Sequence, residues 1–425
     1  MEELEVELRR IYAGVNMNKF YKQINVLYWG GIFFCFTVVF YKLYFEGTDY
    51  LEHSNNALKL LHIFDTRISE VYNTLNTKQI VAYPMWHICV CFAYLLLSLF
   101  TNTTMIMGMD LQPLSSAITT SIFLCGAIYI YYRIIKKELP GAGEYSKIIA
   151  LALAFIGPYY VTWINPSYYL GQGIFTTWHN PTTIAVQPWT VLVAYLFYQL
   201  YNGYINKTCS KRDYIRFSIL LFFSAFFKPS FYQIFVPGIA LFCIVILISS
   251  LGKKLRFCIY AGFASLPVAL LTLLITQIKY SDAALSIGFG WLNVWSVFSP
   301  HPILSICIST LFPLYVLLIC VFTKQRDTFL GIGICCFISG TLQYMLLYIK
   351  TVPYNGDFAW GFNLALQILF VSSFFAFMNI VKKIKSKIIL SVGVILFTIH
   401  IISGFLYVAH YFGSINNIII RIFNV

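Results

Sequence analysis

An aspartate, a glutamate and a histidine crowd together at Asp49, Glu52 and His53, in the run TDYLEHSNNAL over residues 48–58. On a helix, steps of three and four residues put all three side chains on one face. There a carboxylate could take a proton from an acceptor while its neighbours orient it, or the group could hold a divalent cation. The bland alternative is a polar loop that merely solvates itself. Farther along, Trp178, His179 and Asn180 stand in WHNPTT, and Lys228 stands in FFKPSFYQ. Aromatic faces and amides are what a sugar site uses, with the interfacial aromatic belt as the competing explanation. A lysine at the outer end of a short apolar run would suit a phosphate as a point charge, or would simply snorkel. Lys350 and Asp357 extend the set, the first as a second phosphate contact.

The elements that must position these residues are apolar. The chain is 59% hydrophobic and 11% charged over 425 residues, against about 25% charged for soluble domains. A soluble enzyme, a disulfide scaffold and a disordered protein are excluded. Runs close to the ~20 residues that cross a bilayer lie at 25–44, 113–134, 146–163, 186–203, 215–227, 231–250, 256–277, 302–322, 328–349, 360–381 and 388–409. The spacing predicts an all-α polytopic transmembrane bundle of about 11 spans. The stretch 215–227 is short and meets Lys228-Pro229, which suggests a broken hairpin.

One further apolar stretch, 85–101, is decided by charge. If it does not cross and the N-terminus is cytoplasmic, 21 of the 29 lysines and arginines fall inside. If it crosses, 17 of those move outside, against the positive-inside rule. Residues 45–112 therefore form a large external loop with a non-spanning juxtamembrane helix. Residues 1–24 form a cytoplasmic amphipathic segment, 25–409 the membrane domain and 410–425 an external tail. The net charge of +13 is then a topology signal, with no implication of nucleic acid. The external side holds eight acids, among them Glu46, Asp65, Glu70, Asp110 and Asp282, and six of seven histidines, including His87.

Eleven cysteines lie mostly in apolar runs, where free cysteine packs as a small hydrophobe. No Cys/His metal spacing appears. His400, in the last apolar run, would be the sole anchor for a membrane acyltransferase. Ionisable groups in mid-span and symmetry between halves, expected of ion-coupled transporters, are not evident.

With these residues in place, the chain resembles the GT-C superfamily of integral-membrane glycosyltransferases. In that family a catalytic carboxylate follows the first helix in an external loop, similar to TDYLEHSNNAL, and a proline-containing run enters a non-spanning helix, similar to VAYPMWHICV at 81–90. WHNPTT at 178–183 and KPSF at 228–231 are similar to motifs of bacterial polysaccharide-type members. The resemblance covers the topology and roughly the first 230 residues. There is no acidic doublet after the first helix, so Asp49 and Glu46 both stand as candidates for the base.

The resemblance implies a bacterial plasma-membrane enzyme working on its outer face. It would move a sugar from a polyprenyl-phosphate-linked donor to a glycan or lipid acceptor among membrane lipids. Asp49 would be the general base, oriented with the acceptor by Glu52 or His53. Lys228, with His179 or Lys350, would stabilise the departing phosphate. Glu46, His87, Trp178, Asn180 and Asp357 join the substrate-binding candidates, with the aromatics of 168–189 as the sugar platform. No cofactor is implied, and a divalent cation remains an option. An envelope polysaccharide polymerase or ligase, or a lipid-linked glycan flippase, is the alternative reading.

Overall fold

A computed structural model describes residues 2–46, 48–61, 83–101, 103–159, 161, 164, 171–175, 178–280, 287–350 and 353–411. Side chains are described within these ranges from 23 to 275 and from 287 to 409. His62, Asp65, Glu70, Asp282, Tyr168, Tyr169 and the tail from 412 onward lie outside them. The first half contains α1 (Glu2–Leu43), α2 (Asp49–Leu61), α3 (Met85–Ser98), a small hairpin of β1 (Met105–Ile106) and β2 (Met109–Asp110), α4 (Leu111–Glu138) and α5 (Tyr145–Leu153). Then come α6 (Pro181–Ile205), α7 (Lys211–Ser224), α8 (Pro229–Ser249) and α9 (Leu255–Tyr280). The last part holds β3 (Ile287–Phe289), α10 (Trp295–Phe298), α11 (Pro302–Ser309), α12 (Leu311–Phe322), α13 (Thr328–Leu346), β4 (Leu347–Ile349), α14 (Asp357–Ile384) and α15 (Lys387–Tyr411). Strands β3 and β4 pair antiparallel, Gly288 opposite Tyr348.

The protein is an all-α membrane bundle. Among the described residues, seven helices are long and apolar enough to cross a bilayer: Gln23–Leu43, Leu111–Glu138, Pro229–Ser249, Leu255–Ile275, Thr328–Leu346, Asp357–Ile384 and Lys387–Ala409. An eighth would be α11 with α12, which meet at a 72° bend. The remaining apolar runs behave differently. Helix α3 has 14 residues, or about 21 Å at 1.5 Å per residue, too short for a ~30 Å hydrocarbon core. Helix α5 stops at Leu153, well before the end of the 146–163 run, because Gly157 and Pro158 follow. Helix α7 covers only 14 residues. Helix α1 runs unbroken from Glu2 to Leu43, so the segment before the first span is continuous with it.

Helix α14 is the axis of the second half, packed by α13, α8, α12 and α6, with 83% of its apolar window buried. Helix α4 does the same in the first half, against α1, α6, α3 and α5. Helix ends are placed by local chemistry. Asn180 caps α6 by accepting from the Thr183 backbone N–H at 2.9 Å, and Pro181 takes the first helical position, where its missing N–H costs nothing. Asp327 caps α13 through the Leu330 N–H at 2.9 Å. At the other end of α14, Lys382 and Lys383 occupy the last turn, where cations complement the helix dipole.

Irregular backbone inside a membrane bundle must find partners within the protein. Residues 171–175 do so through side-chain amides. Ile174 N–H donates to Asn363 Oδ1 at 3.0 Å, and Gln187 Nε2 donates to the Phe175 carbonyl at 2.5 Å. His400, fully buried on α15, serves two breaks at once. Its Nδ1 lies 2.6 Å from the Gly157 carbonyl and its Nε2 faces the Phe312 N–H at 3.4 Å. Those contacts give it a structural task, with Tyr159 stacked on the ring at 4.3 Å.

The same region depends on two glycines. A Cβ on Gly404 of α15 would overlap the Phe155 carbonyl oxygen, and one on Gly157 would meet Gly404 backbone at 2.8 Å. Backbone cannot rotate aside as a side chain can. Replacing Gly404 by alanine should therefore lower stability by about 1–3 kcal/mol or more, read as earlier thermal unfolding in detergent. Gly31→Ala, with nothing within 4 Å of the new methyl, should leave the transition where it is or raise it slightly.

Candidate functional site

The site is assembled where helices begin. Asp49 is the first residue of α2, Asn180 caps α6, Lys228 caps α8 and Asp357 opens α14. Helix α2 is held against α4 and α3 by three polar contacts: Ser54 with Ser116 at 2.6 Å, Gln112 to Asn55 at 2.9 Å and the Cys91 thiol to the Ala57 carbonyl at 3.0 Å. Thr48 fastens the turn before it by donating to the Leu43 carbonyl at 2.8 Å. The face carrying Asp49, Glu52 and His53 then opens on a cavity of about 340 Å³.

Asn180 connects the two charges at the cavity wall. Its Nδ2 donates to Asp49 Oδ2 at 2.6 Å. Its Oδ1 accepts from Lys228 Nζ at 3.0 Å, from the Thr182 and Thr183 hydroxyls at 2.9 Å each, and from the Thr183 N–H. These donors leave the amide one orientation, with its oxygen toward the lysine and its nitrogen toward the carboxylate. Lys228 is buried, donates also to Thr182 Oγ1 at 3.0 Å and sits 4.4 Å above the Trp360 ring. A cation at a helix N-terminus is on the wrong end of the dipole. These contacts hold it there nonetheless, desolvated and next to open space.

Glu52, Tyr83, Tyr232, Gln233, Asp357 and Phe358 complete the polar and aromatic lining. Trp360, one turn after Asp357, presents its ring beside them. Ile275 and Ile349 add an apolar side. His179 is buried behind the wall, its Nδ1 hydrogen-bonded to the Tyr407 hydroxyl and its ring 5.7 Å from Trp360. His87 lies behind His53, 1% exposed, with its Nε2 3.2 Å from His53 Nδ1.

Of the expected site residues, Asp49, Glu52, His53, Asn180, Lys228 and Asp357 share this cavity. His179 and His87 stand one layer back. Trp178 does not reach the cavity. It is 1% exposed and packed among Phe36, Phe40 and Phe155, so it holds α1 to the start of α6 and is no sugar platform. Trp189 likewise stacks on Phe227 at 5.1 Å. Glu46 is exposed in the turn before α2, and Lys350 is exposed one residue beyond the cavity-lining Ile349. Among the described residues, no three His, Cys, Asp or Glu side chains gather as a metal-ligand set, so the cation option gains no support there.

No family model matches this chain, and no curated protein matches it. The chemistry has to be read from the cavity itself. Tyr83, Tyr232, Gln233, Ile275, Ile349 and Asn355 line the cavity without standing out as site residues in the sequence. For the two tyrosines the signal is the proline that starts a helix nearby: Pro84 follows Tyr83, and Pro229 precedes Tyr232 by three residues.

The three histidines are neutral in the fold. Burial pushes His53 well below its ordinary value, helped by His87 and Lys228. Burial lowers His87 to about 4, opposed by the Tyr83 carbonyl, and lowers His179 to about 4, opposed by Asp49 and reinforced by Lys228. Unfolded, each would take a proton below about pH 6.5. The stability they confer is therefore complete above that pH and is lost as pH falls toward 4. For His87 the full loss is on the order of 3 kcal/mol. Thermal unfolding measured from pH 7 down to pH 4 should show a falling midpoint, with a shallower slope in His87→Gln.

Proposed function

We propose that the protein is a membrane glycosyltransferase that moves a sugar from a polyprenyl-phosphate-linked donor to a glycan or lipid acceptor. One observation carries this reading: a carboxylate and a buried ammonium, Asp49 and Lys228, face one cavity while sharing the Asn180 amide. Glycosyl transfer by direct displacement needs both charges. The acceptor oxygen bonds to the anomeric carbon, and the anomeric carbon–phosphate oxygen bond breaks with its electron pair going to the phosphate. The acceptor proton passes to Asp49, whose Oδ2 is engaged by Asn180, leaving Oδ1 for the hydroxyl. Lys228 faces the oxygen on which negative charge grows, in a place shielded from water. Attack opposite the leaving group inverts the anomeric carbon.

The surroundings support the same reading. Helices α2, α6, α8 and α14 all begin at the cavity, and N-termini favour anions. Tyr83, Tyr232 and Phe358 offer ring faces for a pyranose, since one face of Trp360 is taken by Lys228. Ile275 and Ile349 suit the first part of a lipid chain. About 340 Å³ is at the low end of ligand cavities, ~300–1,000 Å³, which favours a single sugar unit over an oligosaccharide.

The path we propose crosses the membrane eleven times, α5 and α7 crossing as short helices together with the non-helical backbone that adjoins them, with the N-terminus cytoplasmic and the cavity on the outer face of a bacterial plasma membrane. Basic clusters support the orientation. Three of the helices that start at the cavity, α6, α8 and α14, run away from it toward Lys207 and Lys211, Lys253 and Lys254, and Lys382 and Lys383 respectively. Positive ends of this kind stay cytoplasmic.

The test is transfer from a polyprenyl-phosphate-linked sugar by the full-length protein in lipid. Asp49→Asn should lower kcat by at least ~10²-fold with membrane expression unchanged, and Lys228→Met should do likewise. Asn180→Ala should fall between these variants and wild type. Wild-type rates in Asp49→Asn would sink the assignment.

A further inference from the structure

The far end of α6 borders a second cavity, of about 270 Å³. It lies between the end of α4, the last turns of α6 and the start of α7, with Lys137, Arg216 and Asp213 in its wall beside Thr208, Gln199 and Leu200. Along α6 it is roughly 30 Å from Asn180, at 1.5 Å per residue, so it belongs to the opposite side of the bilayer. Other cations near helix ends already have partners. Arg133 donates to the Tyr129 hydroxyl at 2.9 Å, Arg256 to the Tyr260 hydroxyl at 3.1 Å and Lys147 to Glu144 at 2.6 Å. Lys137 and Arg216 differ. Among the described residues neither makes a hydrogen bond or an ion pair, and the Lys137 ammonium has only the Tyr195 ring, 5.5 Å away. The neighbouring acids are engaged elsewhere. Asp213 Oδ2 accepts from the Ser210 N–H at 2.8 Å and from its hydroxyl at 2.7 Å, and Glu138 accepts from the Tyr195 hydroxyl. Lys136, Lys207, Lys211 and Arg212 stand on or between the same helices, so the cavity keeps a positive field.

We propose that this second cavity holds the phosphate of an anionic phospholipid from the leaflet opposite the Asp49–Lys228 cavity. Arg216 offers a fork of donors to two phosphate oxygens, and Lys137 supplies a point charge from the facing helix. The Thr208 hydroxyl and the Gln199 amide are suited to the hydroxyls of a headgroup. The volume lies just under the ~300–1,000 Å³ of ligand pockets, which fits a headgroup and leaves the chains outside. A place for those chains adjoins it. Ile215, Ile219 and Phe223 are exposed on α7 in steps of four, on the face next to Arg216. That stripe serves a lipid and does nothing for a free phosphate, and basic pockets between membrane helices are a recurrent way of holding acidic headgroups. A bound phosphate would bridge α4 to α7 and clamp the far end of α6, the helix that Asn180 caps. The leaflet is cytoplasmic on the path proposed above. The site itself depends neither on that orientation nor on glycosyl transfer.

The experiment measures thermal unfolding of the full chain in detergent with added phosphatidylglycerol, phosphatidylcholine or inorganic phosphate. We expect phosphatidylglycerol to raise the midpoint by roughly 2–4 °C and phosphatidylcholine to raise it by less than half as much. The double variant Lys137→Gln/Arg216→Gln should lose most of that gain. Lys382→Gln/Lys383→Gln, which removes an equal charge from the exposed end of α14, should keep it. Native mass spectrometry should show one phosphatidylglycerol retained by the wild type and lost in the first double variant. Equal gains from the two lipids, or a gain and a retained lipid that survive Lys137→Gln/Arg216→Gln, overturn the proposal. Inorganic phosphate separates the sources. No gain from it supports the lipid, whereas a gain from phosphate without one from phosphatidylglycerol overturns the lipid and assigns the site to a free anion.

Discussion

The amide of Asn180 is the contact on which the site depends. It caps α6, fixes one oxygen of Asp49 and receives the Lys228 ammonium. A buried ammonium without such partners would cost several kcal/mol or give up its proton. An aspartate set directly against it would be a weaker proton acceptor. By standing between them, Asn180 lets both charges persist a short distance apart. The three helices that supply these groups come from distant parts of the sequence, and the amide is what brings their first turns into register.

Much of this was legible in the residues. Helical spacing put Asp49, Glu52 and His53 on one face, and Lys228 was conspicuous as a cation at the end of an apolar run. The surrounding helix starts could also be read, because Asn180-Pro181 and Lys228-Pro229 are strong helix-initiating pairs. Legibility ended where neighbours along the chain part company in space. Trp178 adjoins His179 and Asn180, yet its ring turns into the aromatic core. Ile349 ends β4 and Lys350 stands in the turn after it, so the isoleucine meets the cavity and the lysine meets solvent. Sequence position could not distinguish such pairs, since only packing decides which side is inside.

Apolar runs were a less secure guide to continuous helices. The run at 146–163 contains Gly157-Pro158 and unwinds after α5, and the run at 302–322 bends by 72° between α11 and α12. Hydropathy measures whether a segment suits lipid and is silent on its hydrogen-bond ladder. In both places His400 meets an exposed backbone group, as Asn363 and Gln187 do at residues 171–175, which explains why such polar residues survive in the interior of an apolar bundle.

His400 also bears on how the chain is built. Its helix, α15, is made after both of the segments it serves, yet it supplies the partners for a carbonyl near residue 157 and an N–H near residue 312. The same helix brings Tyr407 to His179 beside the site. Until α15 is inserted, two earlier segments carry unmet backbone groups in a solvent that offers none. A nascent chain stopped before residue 400 would therefore be an incomplete bundle, suited to recognition by membrane quality control.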